Sequence, residues 1–166
     1  MAVVITKSTA VSGRDATPRV LGNSAVTRAD VKKALGVVAA VTGDSIGSTY
    51  LFCSIPSNAV VYSVEVSCPD IGTTGTMDLG LYQTTDKGSA VVDADFFAAA
   101  INVHGGALAK QQEVFGNVIT PANFEQRLWQ LLGLSADPEL MYDVVGTLAA
   151  AQDGSGSILV EVAYSE

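Results

Sequence analysis

The segment from Thr49 to Tyr82 constrains the fold most, because it holds three strand-like stretches separated by two turns. From Val60 to Ser67, apolar and polar residues alternate at every second position, as in a half-buried antiparallel strand. Thr49–Ile55 is also a predicted strand, and within Thr76–Tyr82 the apolar residues Met77, Leu79 and Leu81 alternate with Asp78 and Gly80. The intervening residues include Pro56-Ser57-Asn58 and a glycine-containing loop, which supply the backbone angles that turns require. The segment therefore predicts three strands of an antiparallel β protein.

Further short elements are predicted on both sides of this segment. Val37–Val41 predicts a strand, and Tyr142–Ala151 with Ser157–Tyr164 predicts a terminal hairpin. Short helices are predicted at Arg28–Leu35 with a stop at Gly36, at Val92–Ile101 with Asp93 as N-cap, and from Thr120 to a stop at Gly133. Gln83–Ala90 and Val103–Lys110 are predicted loops. We therefore expect a mainly β fold, an antiparallel β-sandwich of jelly-roll type with two or three short helices in its connections.

The N-terminal part of the chain differs from the rest. Residues 7–30 are small or polar and show no periodicity, although segments of this length without an element are uncommon within a compact domain. We interpret residues 1–35 as an extended arm that becomes ordered on a partner, and residues 36–166 as the sandwich body. A tail that lies on the surface of a monomer, or is disordered, is the alternative.

The N-terminal part and the rest of the chain also differ in net charge. The 166 residues have a net charge of −8. Residues 1–33 contain six basic and two acidic residues, a net +4, and the other 133 contain three basic and fifteen acidic residues, a net −12. An acidic body argues against nucleic acid as the partner, since phosphate contacts need clustered Lys and Arg. The predicted partner-binding residues are the basic residues of the arm: Arg14, Arg19, Arg28, Lys32 and Lys33.

An acidic protein surface, on a neighbouring copy or on another protein, is the expected target of this arm. The three arginines are the preferred anchors, because a guanidinium pairs with a carboxylate through two hydrogen bonds. Hydrophobic residues make up 48% of the chain and charged residues only 16%, which indicates extensive contact between subunits. No apolar run is as long as a membrane span, and the N-terminus lacks the features of a secretory signal. We therefore expect no membrane partner and assembly within the cell.

Residue types that carry chemistry are few. His104 is the only histidine, no GxSxG motif accompanies it, and an enzyme is not expected. A pH-sensitive contact at a subunit boundary is the alternative role for His104. Asp93 and Asp95 form a pair that could bind calcium, but capping of the predicted helix explains both without an ion. No metal and no cofactor are therefore expected.

The cysteines and the aromatic residues also have plain explanations. Cys53 and Cys68 lack the spacing of a zinc site, so we expect two reduced thiols packed as small apolar groups. The strands carry four aromatic residues that could form a platform for a sugar: Tyr50, Phe52, Tyr62 and Tyr82. Packing in the core is the preferred interpretation, since two of these residues fall on the same faces as the apolar set.

Several of these stretches together resemble virion proteins of tailed bacteriophages, in particular capsid decoration (cement) proteins and related head proteins. The resemblance covers residues 49–164 and begins with the strand–turn–strand sequence TYLFCSIPSNAVVYSVEV. It continues through Asp78, Gly80 and Tyr82, then Val92, Asp93, Ala94, Asp95 and Phe97, and then Leu132–Asp143. These motifs are structural and include no catalytic residue.

The resemblance implies an assembly protein that binds and stabilises the outer face of a capsid, typically as a dimer or trimer. Its partners would be the major capsid protein or other virion proteins, and it would be assembled in the host cytoplasm. Two alternatives remain open. One is a head–tail connector, tail or fibre component, and the other is a carbohydrate-binding jelly-roll module on the virion.

Overall fold

The computed structural model describes residues 11–12, 15–18, 20, 30–104, 108–113 and 118–166, with backbone only for 108–113. These residues form eight strands, a 3-10 helix (Thr85–Lys87) and a short α-helix, α1 (Leu128–Leu131). Residues 11, 12 and 15 are also helical. The strands are β1 (Lys32–Ala40), β2 (Thr49–Pro56), β3 (Val60–Cys68), β4 (Thr76–Gln83), β5 (Val91–Asn102), β6 (Leu108–Glu113), β7 (Met141–Ala150) and β8 (Gly156–Ser165).

The eight strands form two four-stranded antiparallel sheets. One sheet has the order β1-β8-β3-β6 and the other has the order β2-β7-β4-β5. Every connection between successive strands except β4–β5 passes from one sheet to the other. This is the strand order of a jelly roll, in which two packed sheets are built from Greek-key connections. The predicted β-sandwich is confirmed.

The core lies between the two sheets and follows the alternation read from the sequence. Val64 and Val66 of β3 and Leu79 and Leu81 of β4 are completely buried, as expected for the inward positions of each strand. A break in the β3–β8 register between Val61 and Ser63 shifts the pattern at the start of β3, so that Val61 also enters the core.

The predicted helix at Val92–Ile101 is wrong, because these residues belong to β5. β5 pairs with β4 along its length, but the register shifts at three places, between Met77 and Leu79, Leu79 and Leu81, and Leu81 and Tyr82 on β4. These shifts remove the strict alternation by which a strand is recognised in sequence. The run of alanines and the aspartate at its start then fit a helix, and pairing with β4 overrides that local preference.

The predicted helix at Arg28–Leu35 is also wrong over its described part, because β1 begins at Lys32 and pairs with β8 from Lys32 to Ala40. Gly36 was expected to end a helix. It lies instead where β1 crosses β2, and a Cβ added to it would be 1.9 Å from the carbonyl oxygen of Phe52. The arm–body boundary at residue 35 stays a prediction, although the pairing of β1 includes residues 32–35 in the sheet.

The two C-terminal strands are confirmed, but they do not form a hairpin. β7 pairs with β2 and β4, whereas β8 pairs with β1 and β3 in the other sheet. Alternation specifies which side of a strand is buried, but it does not specify which strand pairs with it. The loop predicted for Val103–Lys110 likewise overlaps β6, which starts at Leu108 and pairs with β3.

The helix predicted from Thr120 is much shorter than expected. α1 starts after Arg127, and residues 121–125 form turns in which Asn123 donates its backbone N–H to the carbonyl of Thr120. Gly133 ends the helix as predicted, with a left-handed φ of 71°. Two bonds attach α1 to the β2–β3 turn, from the N–H groups of Leu128 and Trp129 to carbonyls of that turn.

Three loops meet at one end of the sandwich. Asp153, in the β7–β8 loop, accepts hydrogen bonds from the backbone N–H groups of Thr73 and Thr74 in the β3–β4 loop, each at 2.9 Å. The hydroxyl of Thr73 also donates to this carboxylate. Gln152 joins the β1–β2 loop through a backbone bond from Gly43. The hydrogen bonds to Asp153 favour its ionised form and hold its pKa below the ordinary value.

This arrangement predicts a loss of stability in acid. Because the folded-state pKa of Asp153 is depressed, its contribution is present above the unfolded-state value of 3.8 and is lost as the pH falls through the folded-state pKa. We expect Asp153→Asn to lower the melting temperature at neutral pH, and this difference from the native protein to shrink below about pH 4. Thermal unfolding followed by circular dichroism across this range tests it. Asp70→Asn, in the same β3–β4 loop, controls for the loss of one negative charge. A difference that is the same at neutral and acid pH would contradict the prediction.

Candidate partner-binding surface

The predicted binding residues divide into two groups. Arg14, Arg19 and Arg28 lie outside the residues that the structure describes, so their role stays a prediction. Lys32 and Lys33 lie in β1, the edge strand of the first sheet. With these two lysines in the sheet, residues 1–31 keep four basic and two acidic residues, so the segment ahead of the sheet has a net charge of +2.

Lys32 and Lys33 each have a partner on or beside β8. The ammonium of Lys32 lies 2.8 Å from a carboxylate oxygen of Glu166, and Lys33 pairs with Glu161. Hydrogen bonding to these carboxylates raises the pKa of both lysines. The side chains of Lys32 and Lys33 are 51% and 62% exposed, so water screens both pairs. The charge of each lysine is nevertheless already balanced within the sheet.

Beside these lysines lies a surface that the sequence analysis did not identify. Val31, Leu35, Val37 and Val41 are 59%, 56%, 58% and 54% exposed, and we call these four residues the β1 row. Eleven large apolar side chains are exposed in the described part of the chain, and four of them belong to this one short segment. Leu35 and Val37 are paired with Glu161 and Leu159 of β8. Residues 34–41 are all small or apolar, so no alternation of polar and apolar residues marks the exposed side of β1 in the sequence.

The possible sugar platform is not formed. Tyr50, Phe52 and Tyr82 are only 6%, 9% and 8% exposed, so none of them offers a ring face to a ligand. The hydroxyl of Tyr50 donates to a carboxylate oxygen of Asp44 at 2.6 Å, which satisfies the polar end of this buried ring. Tyr62 is half-buried, and its hydroxyl lies 2.8 Å from that of Ser165. The packing interpretation is confirmed for the three buried rings.

Asp93 and Asp95 lie in a strand, so the helix-capping role expected for them is wrong. The backbone N–H of Asp95 donates to a carboxylate oxygen of Asp93 at 3.3 Å. Partial burial and the neighbouring Asp95 raise the pKa of Asp93. Among the described residues, no group of three or more His, Cys, Asp or Glu side chains is placed to hold a metal ion.

A cleft of about 480 Å³ lies at the end of the sandwich opposite the Asp153 loops, between the β2–β3 turn and the segment before β7. Two of its polar side chains are bonded to each other. The hydroxyl of Ser57 and the backbone N–H of Glu139 both donate to a carboxylate oxygen of Asp137, which lowers the pKa of Asp137. These bonds connect the β2–β3 turn to the segment that leads into β7, and they give Ser57 and Asp137 a structural role.

Both cysteines are reduced, as predicted. Cys68 is buried in the core, and the partly buried Cys53 packs against the core. Burial, with a smaller contribution from the negative charge of Asp143, raises the pKa of the Cys53 thiol to about 12.

Cys53 should therefore react slowly with thiol reagents in the folded protein. At a pKa of about 12 its thiolate fraction near pH 8 is on the order of one in 10,000, and the thiolate is the reactive form. We expect its labelling by a colourimetric disulfide reagent to be at least ~100-fold slower in the folded protein than in denaturant. Ser45→Cys, at an exposed loop position, is the control that should label quickly. Equal rates for Cys53 and the introduced thiol would contradict the prediction.

His104 follows β5 and is half-buried. Its backbone N–H donates to the side-chain oxygen of Asn102 at 2.8 Å, a local bond typical of a turn. Within the described ranges, no helix has the length and apolar character needed to cross a membrane.

Comparison with known proteins gives a structural likeness only. No protein-family model matches the chain, and no curated protein matches it. A chain in the capsid asymmetric unit of Cyanophage Pam1 is similar in fold, with 19% identity, a TM-score of 0.51, and coverage of 89% of this chain and 92% of that one. A chain in the capsid of Ralstonia phage GP4 has 18% identity, a TM-score of 0.55, and coverage of 84% and 87%. At these identities the likeness establishes a shared fold, and it agrees with the resemblance seen in the sequence.

Proposed function

We propose that this chain is a structural protein of a phage virion, which binds the outer face of the capsid and stabilises the shell. The observation that carries the proposal is the jelly roll itself. It matches a chain in each of two phage capsids, over most of this chain and most of the matched chain. The strand and turn motifs of residues 49–164 point in the same direction. A decoration protein of this kind acts by contact and needs no catalytic residue.

Two parts of the chain support binding by contact. The acidic jelly roll would form the body of an oligomer, because the apolar β1 row is exposed on one of its sheets. The N-terminal arm would bind acidic surfaces of the major capsid protein or of other virion proteins through Arg14, Arg19 and Arg28. An arm that becomes ordered on its partner gains affinity from its connection to a multivalent body. Lys32 and Lys33, already paired with Glu166 and Glu161, would contribute less.

Co-sedimentation tests the proposal. Shells formed by the major capsid protein of the same phage are mixed with the purified chain and collected by centrifugation. We expect saturable binding with many copies per shell, and a shell that withstands heating better when the protein is bound. Binding of only one ring of copies per particle would favour the head–tail connector alternative. The absence of binding would refute the proposal.

A further inference from the structure

The four outer strands of the two sheets differ in how they are protected against pairing with another chain. β2 has a register shift between Leu51 and Cys53 and ends at Pro56, and β5 has three register shifts. β6 is short and is irregularly paired with β3. Bulges, prolines, charged side chains and short length are means by which proteins protect sheet edges. β1 has two lysines at its N-terminal end and none of the other means, since its nine residues pair with β8 in one unbroken register.

The outer edge of β1 is therefore a template for a further strand. In the described part of the chain, β1 is paired with β8 alone. Lys32 and Lys33 are its only charged residues, and both lie at its first end, where Glu166 and Glu161 already bind them. The remaining seven residues, Ala34–Ala40, are small or apolar. Exposed apolar residues on a regular, unprotected edge are the features that favour strand addition.

The β1 row is symmetric about Gly36. Leu35 and Val37 are one residue away from Gly36 on its two sides, and Val31 and Val41 are five residues away on its two sides. All four are more than half exposed. This symmetry matters because two copies of one strand, paired antiparallel about a two-fold axis, place residues at equal distances from the centre opposite each other.

We infer that two copies of this chain form a dimer by antiparallel pairing of their β1 strands, centred on Gly36. In this register all nine residues of β1 are paired, and Leu35 lies opposite the second copy's Val37, twice by symmetry. Val31 lies opposite the second copy's Val41. Lys32 and Lys33 lie opposite alanines, Ala40 and Ala39, so no like charges meet. Residues at equal distances from Gly36 also face the same side of the sheet. The β1-β8-β3-β6 sheets of the two copies therefore join edge to edge, and the second sheets of both copies lie on the same side of the joined sheet.

A second copy fits this edge better than a strand of different sequence for two reasons. The exposed apolar residues match one another across the two-fold axis, and the only charges on the strand are placed where the symmetric partner supplies a small residue. The result is a continuous eight-stranded sheet in which the β1 rows of the two copies pack side by side. The dimer rests on the proposed function, because it specifies how the jelly rolls would form an oligomer. Its test needs no capsid.

Sedimentation velocity of the native chain over a concentration series tests the dimer. We expect a monomer–dimer equilibrium that Leu35→Glu with Val37→Glu shifts to monomer, with the dimer dissociation constant raised about 100-fold or more. The paired variant with lysine at both positions should also be monomeric. An equal mixture of the two variants should form a heterodimer, because each glutamate then lies opposite a lysine.

The control replaces exposed apolar residues elsewhere, Ile46→Glu with Val91→Glu, and should leave the native equilibrium unchanged. Circular dichroism checks that each variant is folded, as expected for positions that are more than half exposed. A native chain that is monomeric at every concentration would overturn the inference. So would a native dimer that persists in the glutamate variant, or charge variants that fail to associate when mixed. Shell binding by a protein that remains monomeric would overturn the dimer and leave the proposed function standing.

Discussion

Replacing Gly36 with alanine is expected to destabilise the protein more than substitution of an open loop glycine. A Cβ at this position would lie 1.9 Å from the carbonyl oxygen of Phe52 and 2.4 Å from its carbonyl carbon. Both are backbone atoms of β2, so no side chain can rotate away, and the two sheets would have to separate where β1 crosses β2. Overpacking of this kind costs at least about 3 kcal/mol of unfolding free energy. In a chain of this size that lowers the melting temperature by roughly 10 °C.

Gly47→Ala is the matched control. Its Cβ would meet no atom within 4 Å, but its φ of 85° is unfavourable for alanine. We expect a cost of about 1 kcal/mol there. Both variants are measured by thermal unfolding at one protein concentration, because dimer formation makes the melting temperature depend on concentration. A Gly36→Ala protein that melts no lower than Gly47→Ala would show that the close crossing of β1 over Phe52 is not maintained.

Removal of residues 1–29 should abolish shell binding and leave the body folded. The shortened chain retains every described strand, since β1 begins at Lys32 and its pairing with β8 is complete without the arm. Loss of a linked binding segment typically weakens overall affinity by about 100-fold or more. We therefore expect the 30–166 chain to have a native circular dichroism spectrum but not to sediment with shells.

Two variants of the full chain identify the residues responsible. Replacing Arg14, Arg19 and Arg28 with alanine should reproduce most of the loss, because arginine pairs most strongly with carboxylates. Replacing Lys32 and Lys33 should have a smaller effect, because Glu166 and Glu161 already pair with them. If the chain without the arm still binds shells, the prediction is wrong and the β body is the part that binds.

The sequence predicted the fold class well because the strands of the sandwich bury one face each. Alternation in Val60–Ser67 and Thr76–Tyr82 identified β3 and β4, and the buried positions agree from Val64 onward. The pairing of strands was not predictable in this way. β7 and β8 follow each other in the chain, yet they belong to opposite sheets, and no local signal encodes that choice.

The errors at β5 and β1 have specific physical causes. In β5 the register shifts break the alternation, and the alanines together with Asp93 imitate a capped helix. In β1, Gly36 was interpreted as a helix stop, although its lack of a side chain serves the close approach to Phe52. The exposed β1 row was missed because residues 34–41 are all small or apolar, so no polar residue marks the exposed side of the strand. A glycine in an apolar run can end a helix or allow another strand to approach closely. Only the position of the neighbouring strand distinguishes these two explanations.

Binding to the outer face of the shell can be seen by electron cryo-microscopy of shells before and after addition of the full chain. We expect additional density on the outer surface at many symmetry-related positions, with the size and the two-layered shape of the jelly roll. Additional density confined to a single vertex, density on the inner surface, or shells identical before and after addition would contradict it.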